Sequence, residues 1–186
     1  MFYTEIVIKL ILLPCTEWRA GMPIGKIRKA SVICLIKLIE EKLIEKDKLA
    51  VLLPEIINKM KSPLDDDWLH DLRFASVVLI SKIMSFMGED MDREGFHEIY
   101  PELLKRLDDA QDGIRIETCK AFEVLFTHMP DPWSSSLYGY TIKQIFIHID
   151  DPNQQIQQAI VKVLETSVRV QTDDFIEIAR DCENKF

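Results

Sequence analysis

Hydrophobic and polar positions repeat along the chain. Four nine-residue segments align without a gap: 27–35 (IRKASVICL), 72–80 (LRFASVVLI), 114–122 (IRIETCKAF) and 156–164 (IQQAIVKVL). Their starts lie 45, 42 and 42 residues apart, a period that indicates stacked helical pairs. Positions one, four, five, eight and nine are mostly apolar or small, which is the stripe of a helix packed along one face. Ala30, Ala75 and Ala159 at position four would let a neighbouring helix approach closely. Glu117 breaks that column, so the third helix is expected to rotate slightly or hold this carboxylate at an edge. Upstream of each segment lies a second apolar-periodic stretch, at about 3–18, 48–60, 96–107 and 138–149. Each unit therefore predicts a helix A, a turn and a helix B. The expected fold is all-α, a solenoid of about four helical hairpins forming a single array over 1–186. The approximate repeats are 1–46, 47–90, 94–129 and 137–170, with a partial helix over 172–186.

The turns carry the expected punctuation: Gly21-Met22-Pro23, Ser62-Pro63 followed by Asp65-Asp66-Asp67, Asp108-Asp109 with Asp112-Gly113, and Asp150-Asp151-Pro152-Asn153. Asp112 and Asn153 are expected to cap their B helices by accepting from the first free amides. Pro14 and Pro101 each stand 14 residues before an arginine, Arg28 and Arg115, which predicts a shared bend. Pro54 stands 19 before Arg73, placing extra residues in the 62–68 turn. Longer connections are expected over 88–95 and 130–139. Thr172-Asp173-Asp174 predicts the cap of one more helix, without a hairpin partner. An array cut from a longer one would end this way, and residues 2–13 are too apolar for a terminal cap, so the chain reads as a fragment.

The helix-B pattern, apolar-Arg-x-Ala-small-apolar-x-small-Leu after an Asp-containing turn, resembles HEAT repeats over nearly the whole chain. The resemblance implies a right-handed α-solenoid. It also implies a structural ladder in which the arginine of each unit joins an aspartate of the preceding turn, here Arg28, Arg73 and Arg115 with Asp109 and Asp112. Gln157 replaces the arginine in the fourth unit, where the ladder should end or weaken. More narrowly, 11–21 (ILLPCTEWRAG) leading into 27–30 (IRKA), 100–109 (YPELLKRLDD) and 148–152 (HIDDP) look like the HEAT-repeat family of dynein axonemal assembly factors, near the C-terminal end. That resemblance implies a cytoplasmic factor for preassembly of axonemal dynein arms, with dynein chains and co-chaperones as protein partners. The competing reading is a HEAT adaptor of nuclear transport, phosphatase or chromatin systems.

Composition narrows the function classes. Hydrophobic residues are 47% and charged residues 29%, a globular balance that favours neither disorder nor a membrane protein. The net charge of −8 opposes nucleic-acid binding, which needs a basic face. The most apolar stretch, 6–15, is interrupted by Lys9 and Pro14 and falls short of the ~20 residues of a membrane span. Glu5 ahead of it makes a poor signal peptide, so a cytoplasmic address is expected. Cys15, Cys34, Cys119 and Cys182 form no close pair and read as reduced, buried thiols. His70, His97, His128 and His148 lack metal-ligand spacing, and His97-Glu98 has no second histidine where a zinc protease needs one. The aspartate runs do not alternate as a calcium loop requires. No metal, cofactor or enzymatic activity is expected.

In stacked hairpins the B helices line the concave side. Positions two, three, seven and ten, with the residue after, then give candidate protein-binding residues: Lys29, Ile33, Ile36 and Lys37 in unit one, Phe74, Val78 and Lys82 in unit two, Ile116 and Lys120 in unit three. In unit four the face turns polar, with Gln158, Lys162 and Glu165. Exposed apolar side chains mark contact sites, and Phe74 among lysines has hot-spot composition. The alternative is that Ile33 and Val78 pack between repeats. A second candidate is Trp133, Tyr138 and Tyr140, which need a cover from a partner or from their own repeat.

Overall fold

The structure, a computed structural model, describes residues 2–129 and 133–183. Pro130, Asp131 and Pro132 of the expected 130–139 connection lie outside the described residues, as does the end of the helix expected over 172–186. α1 (Phe2–Val7) continues through a π-helical stretch (Ile8–Leu12) into α2 (Leu13–Cys15). The slip in register sits just upstream of Pro14, where the Leu13 amide reaches back to the Ile8 carbonyl. A residue without an N–H cannot serve the ordinary i−4 carbonyl, and the wider turn accommodates it. There follow α3 (Met22–Glu40), α4 (Lys46–Leu64), α5 (His70–Met87), α6 (Arg93–Leu107), α7 (Asp112–His128), α8 (Ser135–Phe146), α9 (Gln154–Val168) and α10 (Thr172–Glu183).

Several boundaries differ from the sequence reading. α4 runs through Ser62 and Pro63, expected as a turn, because Met60, Pro63 and Leu64 are all buried and tertiary packing overrides the local signal. Pro101 lies inside an uninterrupted α6, so it does not share the accommodation of Pro14. Asn153 accepts from the Gln155 amide at the start of α9. Asp112 does not cap α7 but is its first residue, and its carboxylate is taken by Arg115 and Asn153.

The architecture is an all-α solenoid of stacked helical hairpins. Each hairpin packs an A helix (α1–α2, α4, α6, α8) against a B helix (α3, α5, α7, α9). Along the stack the B helices form a tightly packed row, while the A helices α4, α6 and α8 lie farther apart. Closely packed B helices therefore form the inside of the curve. α10 lies along α8 and α9, with Phe175 and Phe146 ring centroids 5.7 Å apart and Ile178 buried, so it is not unpartnered.

Each aligned column has a fixed neighbour. Positions five and nine are buried in every unit, as Ser31, Ser76, Thr118 and Ile160, then Leu35, Ile80, Phe122 and Leu164. Positions one and eight bury only where an earlier B helix stands beside them. Leu72, Ile114 and Ile156 are at most 2% exposed, whereas Ile27 is 47% exposed and Cys34 is exposed too. The expectation that Ile27 is core is thus corrected: no earlier B helix precedes α3 among the described residues. Position six mirrors this at the other end. Val32, Val77 and Cys119 are fully buried, while Val161 in α9 is 42% exposed. Position four is weaker than expected, since Ala30 is exposed and Ala159 only half-buried, and Glu117 stays at the edge paired with Lys120.

A charge placed in this column separates the two cases. Ile114→Asp strands a carboxylate between α5 and α7 and is expected to cost about 4 kcal/mol or more. Ile27→Asp, at the same repeat position, is expected to cost under about 1 kcal/mol. Chemical denaturation of both variants checks this, and equal losses would overturn the column assignment.

Candidate functional site

An ion-pair ladder fixes the register of the stack. Arg28, at 2% exposure, donates through Nε to the Thr16 carbonyl at 3.0 Å, through one terminal nitrogen to Ser62 Oγ at 3.0 Å, and through the other to Asp66. Arg73 holds Asp109 with a two-pronged grip, Nε to Oδ2 at 2.7 Å and Nη2 to Oδ1 at 2.9 Å. Arg115 reaches Asp151 at 2.7 Å and Asp112 at 2.5 Å. In every rung the arginine meets an aspartate in the turn of the following unit, and the expected pairing with an aspartate carboxylate earlier in its own unit is made in addition, among the described residues, only by Arg115, to Asp112. A side chain at position two points toward the later hairpin, where that turn sits.

The same carboxylates organise their own turns. Asp66 Oδ1 accepts from the Trp68 and Leu69 amides, Asp109 Oδ1 from Gln111, and Asp151 Oδ1 from Asn153. Asp66 and Asp151 are ladder members that the sequence pattern marks only as turn residues. The signal was an aspartate six or seven residues ahead of each position-two side chain, at 66 and 73, 109 and 115, 151 and 157. Gln157 donates to the Asp151 carbonyl at 2.8 Å, as Arg73 does to that of Asp66, and makes no rung onward.

Burial raises the Asp109 carboxyl, but Arg73, the Gln111 amide and Arg106 outweigh it and hold the group below its ordinary value. Arg73 is correspondingly pushed up by Asp109. Burial drives the Cys119 thiol up to about 12, leaving it a protonated, inert core group at neutral pH.

The inner row presents part of the expected binding face. Phe74 is 40% and Ile33 39% exposed, and Val78 and Ile116 are half-buried beside the core. Repeat register sets these side chains on neighbouring helices of the row. Ile36 does not belong there, being 8% exposed. It lies one turn after Val32 and packs on the same side of α3, toward α5. Every lysine of this face has a carboxylate beside it: Lys29 pairs with Asp71 at 2.5 Å, Lys37 and Lys82 share Glu40 at 2.6 and 3.1 Å, and Lys120 pairs with Glu117 at 2.8 Å. Four ammonium groups against three carboxylates make the face an apolar strip in a largely offset frame rather than a strongly basic patch.

Trp133 is covered by the repeat before it and Tyr138 bonds within its own. Trp133 lies among Tyr100, His97 and Phe126, and the Tyr138 hydroxyl donates to the Ser167 carbonyl at 2.8 Å. Only Tyr140 of that group is exposed. The four histidines fall at separate places: the start of α5, mid-α6, the end of α7 and the turn after α8. Among the described residues no cluster of three or more His, Cys, Asp or Glu is placed to hold a metal ion. No described helix is long and apolar enough to cross a membrane.

Over 167 residues, 88% of its length, this chain is 30% identical to a human protein, 29% to one of Mus musculus and 26% to one of Xenopus laevis, all three of one name. The chain is similar to dynein axonemal assembly factor 5. It spans about a fifth of the length of these curated relatives, 19–20% of each. No protein-family model matches the chain. The crystal structure of an engineered protein from the Northeast Structural Genomics Consortium superposes with a TM-score of 0.63, at 10% identity, covering 96% of this chain and 70% of that one. That likeness is one of fold, whereas the likeness to dynein axonemal assembly factor 5 is one of sequence.

Acid should release the Asp109 rung in a defined window. A carboxyl held low in the folded state stabilises fully above its unfolded value of ~3.9 and loses that contribution as pH falls through its lower folded value. The melting midpoint is expected to stay level from about pH 7 to 5 and fall below about pH 4. Asp109→Asn should cost about 3 kcal/mol at neutral pH by leaving Arg73 without its counter-charge, and its melting curve should depend less on acid. Equal acid slopes for the two proteins would remove Asp109 from this role.

Proposed function

We propose that the chain is a HEAT-repeat segment of a cytoplasmic scaffold that takes part in preassembly of axonemal dynein arms, working by holding proteins rather than by chemistry. The observation that carries this reading is the similarity to dynein axonemal assembly factor 5 across 88% of the chain. The geometry agrees in kind. A solenoid pinned by buried Arg–Asp rungs is a rigid surface, and rigid surfaces lower the ordering cost of binding. Its inner strip of Ile33, Phe74, Val78 and Ile116 has the exposed apolar character of a contact site, and its lysines, already paired, add specificity more than attraction. Dynein chains and their co-chaperones are the partners this reading assigns.

Affinity purification of the tagged chain from ciliated cells tests it. Co-purification of axonemal dynein chains and co-chaperones supports the proposal, and recovery of transport cargo or phosphatase subunits instead would replace it with an adaptor role. Phe74→Ala is expected to reduce recovery of the dynein partners about tenfold or more, a loss of roughly 1.4 kcal/mol or greater. Because Phe74 is 40% exposed, its thermal midpoint should stay within a few degrees of the parent. A large loss of stability with unchanged recovery would place Phe74 in the core instead.

A further inference from the structure

On the side opposite the inner row the A helices stand apart, and between α4 and α6 they leave a groove of about 230 Å³. Its floor is apolar, built from Leu53 and Ile57 of α4 and Met87 at the end of α5. At its edge Ala50 and Pro54 are both exposed. Pro54 has no N–H, so the Ala50 carbonyl one turn earlier lacks its usual helical donor beside the groove. The far wall carries carboxylates: Asp90, Asp92, Glu94 and Glu98.

Their pairing leaves an excess of negative charge. Lys46 meets Asp90 at 2.8 Å, and Lys61 meets Glu98. Asp92 is occupied with the Gly95 amide, where it caps α6 without being neutralised. Glu94, on the first turn of α6, lines the groove, is exposed and has no ion pair among the described residues. Of the four carboxylates lining the groove, Asp90 and Glu98 are paired, and Asp92 and Glu94 stand without an ion pair among the described residues. A volume of 230 Å³ is below the ~300 Å³ at which small-molecule pockets begin, and suits an anchor side chain.

We propose that this outer groove docks a basic segment of a partner protein, seating one Leu, Met or Phe side chain against the exposed Ala50 and Pro54, above the buried Leu53 and Ile57, with Lys or Arg on either side facing Glu94 and Asp92. The Ala50 carbonyl receives a donor from the same segment. The site is separate from the inner row and does not depend on which proteins the inner row holds.

The probe is a fluorescein-labelled 18-residue amphipathic peptide of Leu and Lys, with two controls: Glu in place of every Lys, and Ser in place of every Leu. Anisotropy is read against the intact chain at low and moderate salt. The Leu/Lys peptide is expected to bind, weakening as salt rises, and both controls to bind at least tenfold more weakly. Glu94→Lys should weaken binding about tenfold through charge, and Ala50→Trp should do so by filling the groove. Both positions are exposed, and circular dichroism reports whether each variant is folded. Phe74→Ala, on the inner row, should leave peptide binding unchanged. Binding that survives both Glu94→Lys and Ala50→Trp, or that the Ser control matches, would show general attraction to an acidic chain and overturn the proposal. No binding of the Leu/Lys peptide would overturn it too.

Discussion

No hairpin in this chain buries its own apolar stripe, and that constraint organises everything else. A B helix of the row has three covered sides: its own A helix, the B helix before it and the B helix after it. Positions five and nine answer to the first, one and eight to the second, six to the third. The ends of the row expose the rule, because Ile27 and Val161 are open while their repeat counterparts are buried. Burial at these sites is a property of the neighbour rather than of the residue. The energy that holds one unit therefore lies mostly in its interfaces, as in other stacked arrays.

Apolar contact alone would let adjacent hairpins slide, since it is not directional. The ladder removes that freedom. Each aspartate ties the amides of its own turn through Oδ1 and receives an arginine from the preceding hairpin on Oδ2, and at Asp109 the arginine grips both oxygens. Turn geometry and stacking register are thus decided by the same group, and disturbing either exposes a buried charge. The ladder is closed at both ends. Gly21 stands in the first unit where an aspartate would receive a rung, and Gln157 stands in the last where an arginine would extend one. No ladder charge is left buried without a partner, which a low-dielectric interior would penalise heavily.

The repeat was legible because helical periodicity and column identity are both local. The direction of the ladder was not. Asp66, Asp109 and Asp151 look like ordinary turn residues in sequence, and do tie the turn amides, but their second partners lie 38, 36 and 36 residues upstream. The Asp112 misassignment has the same origin, since an acidic residue beside a helix start reads as a cap whether or not its oxygen faces the amides. Ile36 was placed outward by its position number, although a residue four after a buried Val32 must share its side of the helix. The pairing of Lys29 with Asp71 and of Lys37 and Lys82 with Glu40 depends on how α3 and α5 are set against each other, which no single helix pattern contains. The outer groove was invisible for the same reason, as it is made by the spacing between two A helices.

Curvature then gives the two sides different chemistry. Where B helices crowd together, side chains of adjacent units are close enough to pair across the row, and the lysines of the inner face find carboxylates at 2.5 to 3.1 Å. The result is an apolar strip with little net field. Where A helices spread, Glu94 has no ion pair among the described residues and the groove keeps an acidic wall. A contact on the inner side is governed by buried area and resists salt, whereas one on the outer side is drawn by an unbalanced field and is screened over about 8 to 10 Å at ordinary ionic strength. The unequal spacing of A and B helices thus separates an area-driven surface from a charge-driven one, on opposite faces of one stack.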